Sequence, residues 1–219
     1  MGAADYKMAV HLPNGRSVYT FCMCPGGVVV AAASEKGRVV TNGMSEFARA
    51  AENANSALLV GVSEKDFGSN NPLAGMYFQR KLEENAFIAG DSSYRAPAVL
   101  VGDFLRRKVS QKLGDVRPTY LRGVALGGFK LVLPSEIADS LRLGIVEMAK
   151  KLHGFDCYDA VLTGVETRSS SPVRIVRDET MQSNIKGLYP CGEGAGYAGG
   201  ITSAAADGLK AVYALQQDK

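Results

Sequence analysis

Apolar residues gather in short blocks near the amino end of the chain, spread into helical stripes through the middle, and return to short blocks near the carboxyl end. Residues 9–12 and 17–21 flank Pro13-Asn14-Gly15-Arg16. Asn and Gly both tolerate positive φ, so Asn-Gly between two apolar-leaning runs predicts a hairpin. Val28-Val29-Val30-Ala31-Ala32 follows Gly26-Gly27 and precedes Ser34-Glu35. Its β-branched content predicts a buried strand, and residues 57–62 predict another. Between them, residues 45–53 predict a helix with Ser45 as its N-cap.

The middle follows a different period. Met76, Leu82, Ala86 and Phe87 make a stripe that predicts a helix over residues 72–88, with charge on its other face. Phe104, Leu105 and Val109 predict a second helix, whose solvated face carries Arg106-Arg107-Lys108 and Lys112. A third begins at Ser135 as N-cap, buries Ile137, Leu141, Ile145 and Met148, and ends near His153-Gly154. Strands resume at residues 160–165, 173–176 and 187–191, and a helix over residues 204–216 closes the pattern. This order predicts an α/β, α+β-like architecture in three parts. Residues 1–62 form a strand-rich part, 63–154 a mostly helical insert, and 155–219 the returning strands and last helix.

Composition narrows the classes without choosing one. The 219 residues are 46% hydrophobic and 21% charged, ordinary for a globular chain. A net charge of +3 calls for neither a nucleic-acid nor a membrane partner. No basic region followed by an apolar run stands at the amino end, and no apolar stretch is long enough for a bilayer, so a cytoplasmic protein is expected. Cys22, Cys24, Cys157 and Cys191 fit neither a disulfide framework nor zinc-ligand spacing. With His11 and His153 the only histidines, neither a metal site nor a Ser/His/Asp triad is expected.

The stretch richest in chemistry is Gly192-Glu193-Gly194-Ala195-Gly196-Tyr197-Ala198-Gly199-Gly200-Ile201-Thr202-Ser203. A strand, a glycine loop and a helix in succession bring unsatisfied N–H groups and a partial positive charge to a helix amino terminus. Gly194, Gly196 and Gly199 also match the GxGxxG dinucleotide fingerprint. That fingerprint needs a further strand and an acidic residue about 20 positions on, which the following residues do not supply. Glycines required only for close packing are the plainer alternative.

Gly187-Leu188-Tyr189-Pro190-Cys191-Gly192-Glu193, followed by a glycine-led helix, resembles the second FAD motif of two-dinucleotide-binding flavoproteins. The resemblance implies that Glu193 accepts a hydrogen bond from the flavin's ribityl chain. It implies too that Gly192, Gly194, Gly196, Gly199, Gly200, Ile201 and Thr202 line the cofactor, with the helix amino terminus toward its C2 carbonyl. Phe21-Cys22-Met23-Cys24-Pro25-Gly26-Gly27, Thr41-Asn42-Gly43-Met44-Ser45, residues 164–175, Tyr197-Ala198-Gly199-Gly200-Ile201 and Asp207-Gly208 extend the likeness along the chain. Together they resemble the bacterial FAD-dependent or NAD(FAD)-utilising dehydrogenases of undetermined substrate. Membership implies an oxidoreductase with FAD as cofactor, NAD as a possible electron partner, and a small organic substrate. Full-length members begin with a GxGxxG segment that cradles the FAD pyrophosphate. The expectation here is therefore a carboxy-terminal portion, inactive alone and weak in FAD binding.

Arg168 and Arg174 bracket Ser169-Ser170-Ser171-Pro172, a composition suited to an anionic group. They are substrate candidates; the alternative is a surface loop whose arginines pair with neighbours. Cys22 and Cys24, at i and i+2 of a strand, would share a face and so allow a redox pair, against the plainer reading of two packed thiols. A rival from another class is a phosphate- or nucleotide-binding module without redox chemistry, built on the same loop and arginines.

Overall fold

The computed structural model describes residues 7–217. The chain divides into two compact units, one of Met1–Ser63 with Arg80–Thr167 and one of Glu64–Gln79 with Arg168–Lys219. The fold is mixed α/β, with its strands in small sheets rather than one large one.

In the first unit, β1 (Ala9–His11), β2 (Ser17–Cys24) and β5 (Asn55–Val60) make an antiparallel sheet in the order β1-β2-β5. The Asn-Gly hairpin is present: Gly15 takes φ +80°, and Val10 pairs with Val18. β3 (Gly27–Ala31) and β4 (Thr41–Ser45) form a separate two-stranded ladder. β6 (Ala96–Leu100) is central in the third sheet, parallel to β7 (Val124–Leu126) and antiparallel to β8 (Val161–Thr163). Every residue of β6 is buried, as a strand covered on both faces requires.

α4 (Ser135–Ala149) packs on the first sheet. Its stripe of Ile137, Leu141, Ile145 and Met148 is buried as its spacing predicts. Gly144 belongs to the same face because a Cβ there would stand 2.5 Å from Val18 Cγ1. α1 (Glu64–Phe67) lies in the second unit, and α2 (Ala74–Ala89) runs from the second unit into the first. α3 (Val101–Leu105) directly follows β6. In the second unit α5 (Ile201–Gln217) ends the described chain.

Several expected elements give way to turns. Residues 46–53 form no helix: Ser45 ends β4, the backbone turns with Arg49 N donating to Glu46 O at 3.0 Å and Arg49 at φ 51°, and it then bonds to the β2–β3 turn. Ala51 N donates to Gly26 O at 3.2 Å and Gly27 N to Asn53 O at 2.8 Å. The basic helix around residues 104–109 stops at Leu105, because Arg107 is left-handed at φ 57°. Lys108 N then bonds back to Asp103 O at 2.8 Å, so the Arg106-Arg107-Lys108 run lies beyond the helix. At α4 the cap is Pro134 rather than Ser135, which is the first helical residue, and the helix ends at Ala149 rather than near Gly154. The middle of the chain also contributes β6 and β7 beside its helices.

Residues 173–176 and 187–191 form no strands. Ile175 N donates to Ala195 O at 3.1 Å without a ladder around it, and Ser183 N donates to Leu188 O at 2.8 Å across a turn with Gly187 at φ 83°. The glycine segment is therefore loop and helix, not strand, loop and helix.

Candidate functional site

The glycine loop lies wholly in the second unit, where polar clamps fix it. Arg177 donates through Nη1 to Asp207 Oδ2 at 2.9 Å and through Nη2 to Asp207 Oδ1 at 2.7 Å. A planar guanidinium matches a carboxylate in this two-point way, which fixes geometry as well as charge. The same guanidinium reaches Pro190 O at 2.8 Å, and Gly192 N donates to Asp207 Oδ2 at 2.9 Å. Asp207 thereby joins the first turns of α5 to the start of the loop. The Arg177 side chain is 10% exposed and that of Asp207 12%. Hydrogen bonding from Arg177, then from the Gly192 amide, lowers the Asp207 pKa to about 2.

Tyr197 and Arg174 form the second clamp. Arg174 Nε and Nη2 both donate to Gly196 O, at 3.1 and 3.0 Å. The Arg174 and Arg177 guanidinium carbons lie 4.8 and 3.6 Å from the Tyr197 ring centre, a double cation–π arrangement. The Tyr197 hydroxyl donates to Ile175 O at 3.1 Å. Two of the glycines follow from this close packing. Gly196 sits at φ 84°, and a Cβ on it would meet Val173 O at 2.6 Å; a Cβ on Gly199 would meet Ser170 Oγ at 3.0 Å. Gly194 is exposed and faces open space.

Glu193 accepts from Ser170 N through Oε1 at 2.7 Å, and its Oε2 has no protein partner among the described residues. Gly200 stands where an N-cap side chain would be: its carbonyl accepts from Ala204 N at 2.9 Å, and its own N–H donates to Ser203 Oγ at 3.2 Å. With glycine there, no cap oxygen takes the N–H groups of Thr202 and Ser203, which remain donors at the positive end of α5. A carboxylate acceptor and a free helix amino terminus in one loop suit a polyhydroxyl chain joined to an electron-rich carbonyl. The ribityl and isoalloxazine parts of a flavin have that chemistry, so the residues present fit the cofactor.

Arg168 is exposed at the start of the unit's second segment. Arg174 has its guanidinium turned to the loop it holds. The sequence did not single out Arg177. Its signal was faint: an arginine three residues after Arg174, whose acidic partner lies 30 positions away.

The cysteine segment belongs to the first unit. Phe21 pairs with Ala57 and Cys24 with Asn55, so Cys22 and Met23 together oppose Ser56. This is a β-bulge, with Cys22 at φ 46°. The extra residue returns Cys24 to the face of Phe21 and undoes the shared face that alternate residues would give Cys22 and Cys24. All four cysteines are free thiols. Burial, and then the Glu166 carboxylate, push the Cys24 thiol pKa up, so it is held as the protonated thiol. Beside it, both amide atoms of Asn55 are buried without a hydrogen-bond partner. Gly27 and Gly43 make room for that amide, since a Cβ on Gly43 would stand 2.2 Å from Asn55 Oδ1.

Two buried carboxylates in the first unit also escaped the sequence. Glu83, 1% exposed, accepts from Thr167 Oγ1 at 2.8 Å. Asp103 accepts from Ser110 Oγ at 2.7 Å and from the Tyr158 hydroxyl at 2.8 Å; these bonds, Ser110's first, lower its pKa. Among the described residues no group of three or more His, Cys, Asp or Glu could hold a metal ion, and no helix is long and apolar enough to cross a membrane.

Residues 1–169 match the family described as FAD-dependent protein, C-terminal domain-like. The chain belongs to this family. An uncharacterized protein of Clostridium beijerinckii is 54% identical over 210 residues, a match that covers 95% of this chain and 39% of the relative. The chain thus spans about two fifths of the length of that curated relative. The family's description ties the chain to FAD-dependent proteins. The matched residues take in the Cys22-Met23-Cys24 segment, the buried carboxylates and Arg168, and end before the glycine loop.

Proposed function

We propose that this chain is the carboxy-terminal portion of an FAD-dependent oxidoreductase and that the loop at residues 192–203 contacts the flavin end of the cofactor. The observation that carries the reading is the pairing, in one clamped loop, of a carboxylate oxygen without a protein partner on Glu193 with the uncapped amides of Thr202 and Ser203. Bound FAD would supply hydride transfer with a small organic substrate, and a nicotinamide is one possible electron partner. Glu193 Oε2 would accept from a ribityl hydroxyl, while its Oε1 stays on Ser170 N. The amino terminus of α5 would favour the negative charge that a reduced flavin gathers near its C2 carbonyl. Arg168 is the candidate for holding an anionic substrate group. Arg174 is better suited to fixing the loop, since two of its nitrogens already donate to Gly196 O. The same engagement takes Arg174 from the rival phosphate module, which then depends on the glycine loop and Arg168.

FAD titration followed by flavin fluorescence and absorbance tests the reading. The 219-residue chain is expected to bind FAD weakly, because contacts to the pyrophosphate are charge-assisted and among the stronger hydrogen bonds a protein makes. Glu193→Gln is expected to weaken that binding about tenfold, as loss of one hydrogen bond to a charged group does. Binding indifferent to Glu193→Gln would sink the proposed contact. Binding of inorganic phosphate that competes with FAD and is lost with the arginines would favour the rival. Tight, stoichiometric FAD binding would show that no further pyrophosphate cradle is needed.

A further inference from the structure

The serines that precede the glycine loop have different tasks. Ser171 serves its own turn: its hydroxyl donates to Val173 O at 2.8 Å and accepts from Val173 N at 3.3 Å. Pro172 fixes that turn against the helices of the second unit. A Cβ on the buried Gly75 of α2 would stand 2.5 Å from Pro172 Cβ and 3.0 Å from Phe67 Cε2. Ser170 lies between this anchor and the glycine loop. Its N–H donates to Glu193 Oε1 at 2.7 Å, and its Oγ is the atom that a Cβ on Gly199 would meet at 3.0 Å.

Ser170 has the backbone of a glycine. Its φ is 69°, a region that strains any residue with a Cβ and that glycine enters freely. The hydroxyl does not offset that strain from within the protein. Ser170 is exposed, and beyond its amide bond to Glu193 it has no hydrogen-bond partner among the described residues. Backbone strain kept for a side chain that the fold does not use points to a ligand.

We propose that Ser170, on the flavin reading of the loop, is a second contact for the polyhydroxyl chain of the cofactor beside Glu193. The chemistry of the two groups is complementary. A carboxylate only accepts and a helix-end amide only donates, whereas a hydroxyl does both. A ribityl hydroxyl that donates to Glu193 keeps lone pairs that another donor can fill, and the Ser170 O–H is such a donor. One hydrogen bond already joins the two residues, so the carboxylate and the hydroxyl are positioned together.

Ser170→Gly tests it, because glycine accepts a φ of 69° and the change removes only the side chain. The 219-residue chain is titrated with FAD and with lumiflavin, which has a methyl group where FAD has its ribityl chain. Ser170→Gly is expected to weaken FAD binding about three- to tenfold, as loss of one hydrogen bond does, and to leave lumiflavin within about twofold. The thermal midpoint of the variant is expected to equal or exceed that of wild type, since the strain is relieved. Equal FAD affinity in the two forms would overturn the proposal. Matching losses for FAD and lumiflavin, or a lowered midpoint, would also overturn it by giving the hydroxyl to the fold. Glu193→Gln separates this contact from the reading beneath it. If Glu193→Gln weakens FAD binding and Ser170→Gly does not, only the Ser170 contact is lost. If neither does, or if the wild-type chain binds no FAD, the flavin reading fails and the Ser170 contact fails with it.

Discussion

The two units hold themselves together by different physics. The first buries large side chains: Val18, Val39, Val40, Val132, Ile145 and Met148 are each 2% exposed or less. The second buries only small or short ones among its described residues, namely Ala74, Gly75, Ser183, Pro190, Ala195 and Ala211. Its loop is positioned instead by Arg177–Asp207, by Arg174 on Gly196 O and by the two guanidinium groups on Tyr197. Apolar burial is strong and undirected, whereas hydrogen bonds to charged groups are weaker in sum but fix orientation. A loop proposed to turn a carboxylate and two helix-end amides toward a cofactor gains more from orientation than from bulk.

Substitutions should divide along that line. The largest effect is expected from Ile145→Ala in the first unit, about 2–5 kcal/mol from lost transfer energy and the cavity left behind. Thermal or denaturant unfolding measures it, and a loss below about 1 kcal/mol would mean that α4 is not firmly seated on its sheet. Next is Arg177→Ala, expected to cost the second unit about 1–3 kcal/mol by leaving Asp207 without its partner, a figure tempered by the pair's partial solvation. Hydrogen exchange at residues 190–200 should accelerate while β2 and β6 stay protected. Equal acceleration in both units would show that the chain unfolds as one.

Acid probes the same clamp without mutation. The folded Asp207 pKa of about 2 lies below its unfolded value near 3.9, so the unfolded state binds more protons between them. The clamp's contribution is full above about pH 4 and is lost as pH falls toward 2. Loop protection in wild type should drop across that window, and Arg177→Ala should flatten the drop.

A contrast between two glycines tests the same loop. Gly196→Ala is expected to cost about 1–3 kcal/mol, since it strains a positive φ and presses a Cβ onto Val173 O. Gly194→Ala is expected to stay within about 0.5 kcal/mol, because its Cβ enters open space. Equal losses at the two positions would mean that the loop does not pack on residues 170–174 as described.

Local chemistry was legible wherever it was sufficient by itself. Asn14-Gly15 made its hairpin, the β-branched run at residues 28–30 made β3, and the spacing of Ile137, Leu141, Ile145 and Met148 set the buried face of α4. The mixed α/β class followed from those periods, and the motifs carried the link to FAD-dependent proteins. Failure came where backbone bonds to distant segments replaced a regular pattern. Residues 46–53 make a turn and then bond to the β2–β3 turn instead of continuing as a helix, and residues 173–176 find one backbone partner instead of a ladder.

For the candidate site, residue types along the chain singled out Glu193, the glycines and the start of α5 as candidates. They left open which glycines serve packing, and they allowed Cys22 and Cys24 a shared face that a single bulge then removed. Only the tertiary structure matched Arg177 to Asp207, turned Arg174 onto the loop and brought the Ser170 amide to Glu193. The reason is one of range. Propensity and periodicity act over a few neighbouring residues, while a guanidinium, a bulge or a left-handed serine takes its meaning from groups brought close by folding of distant segments.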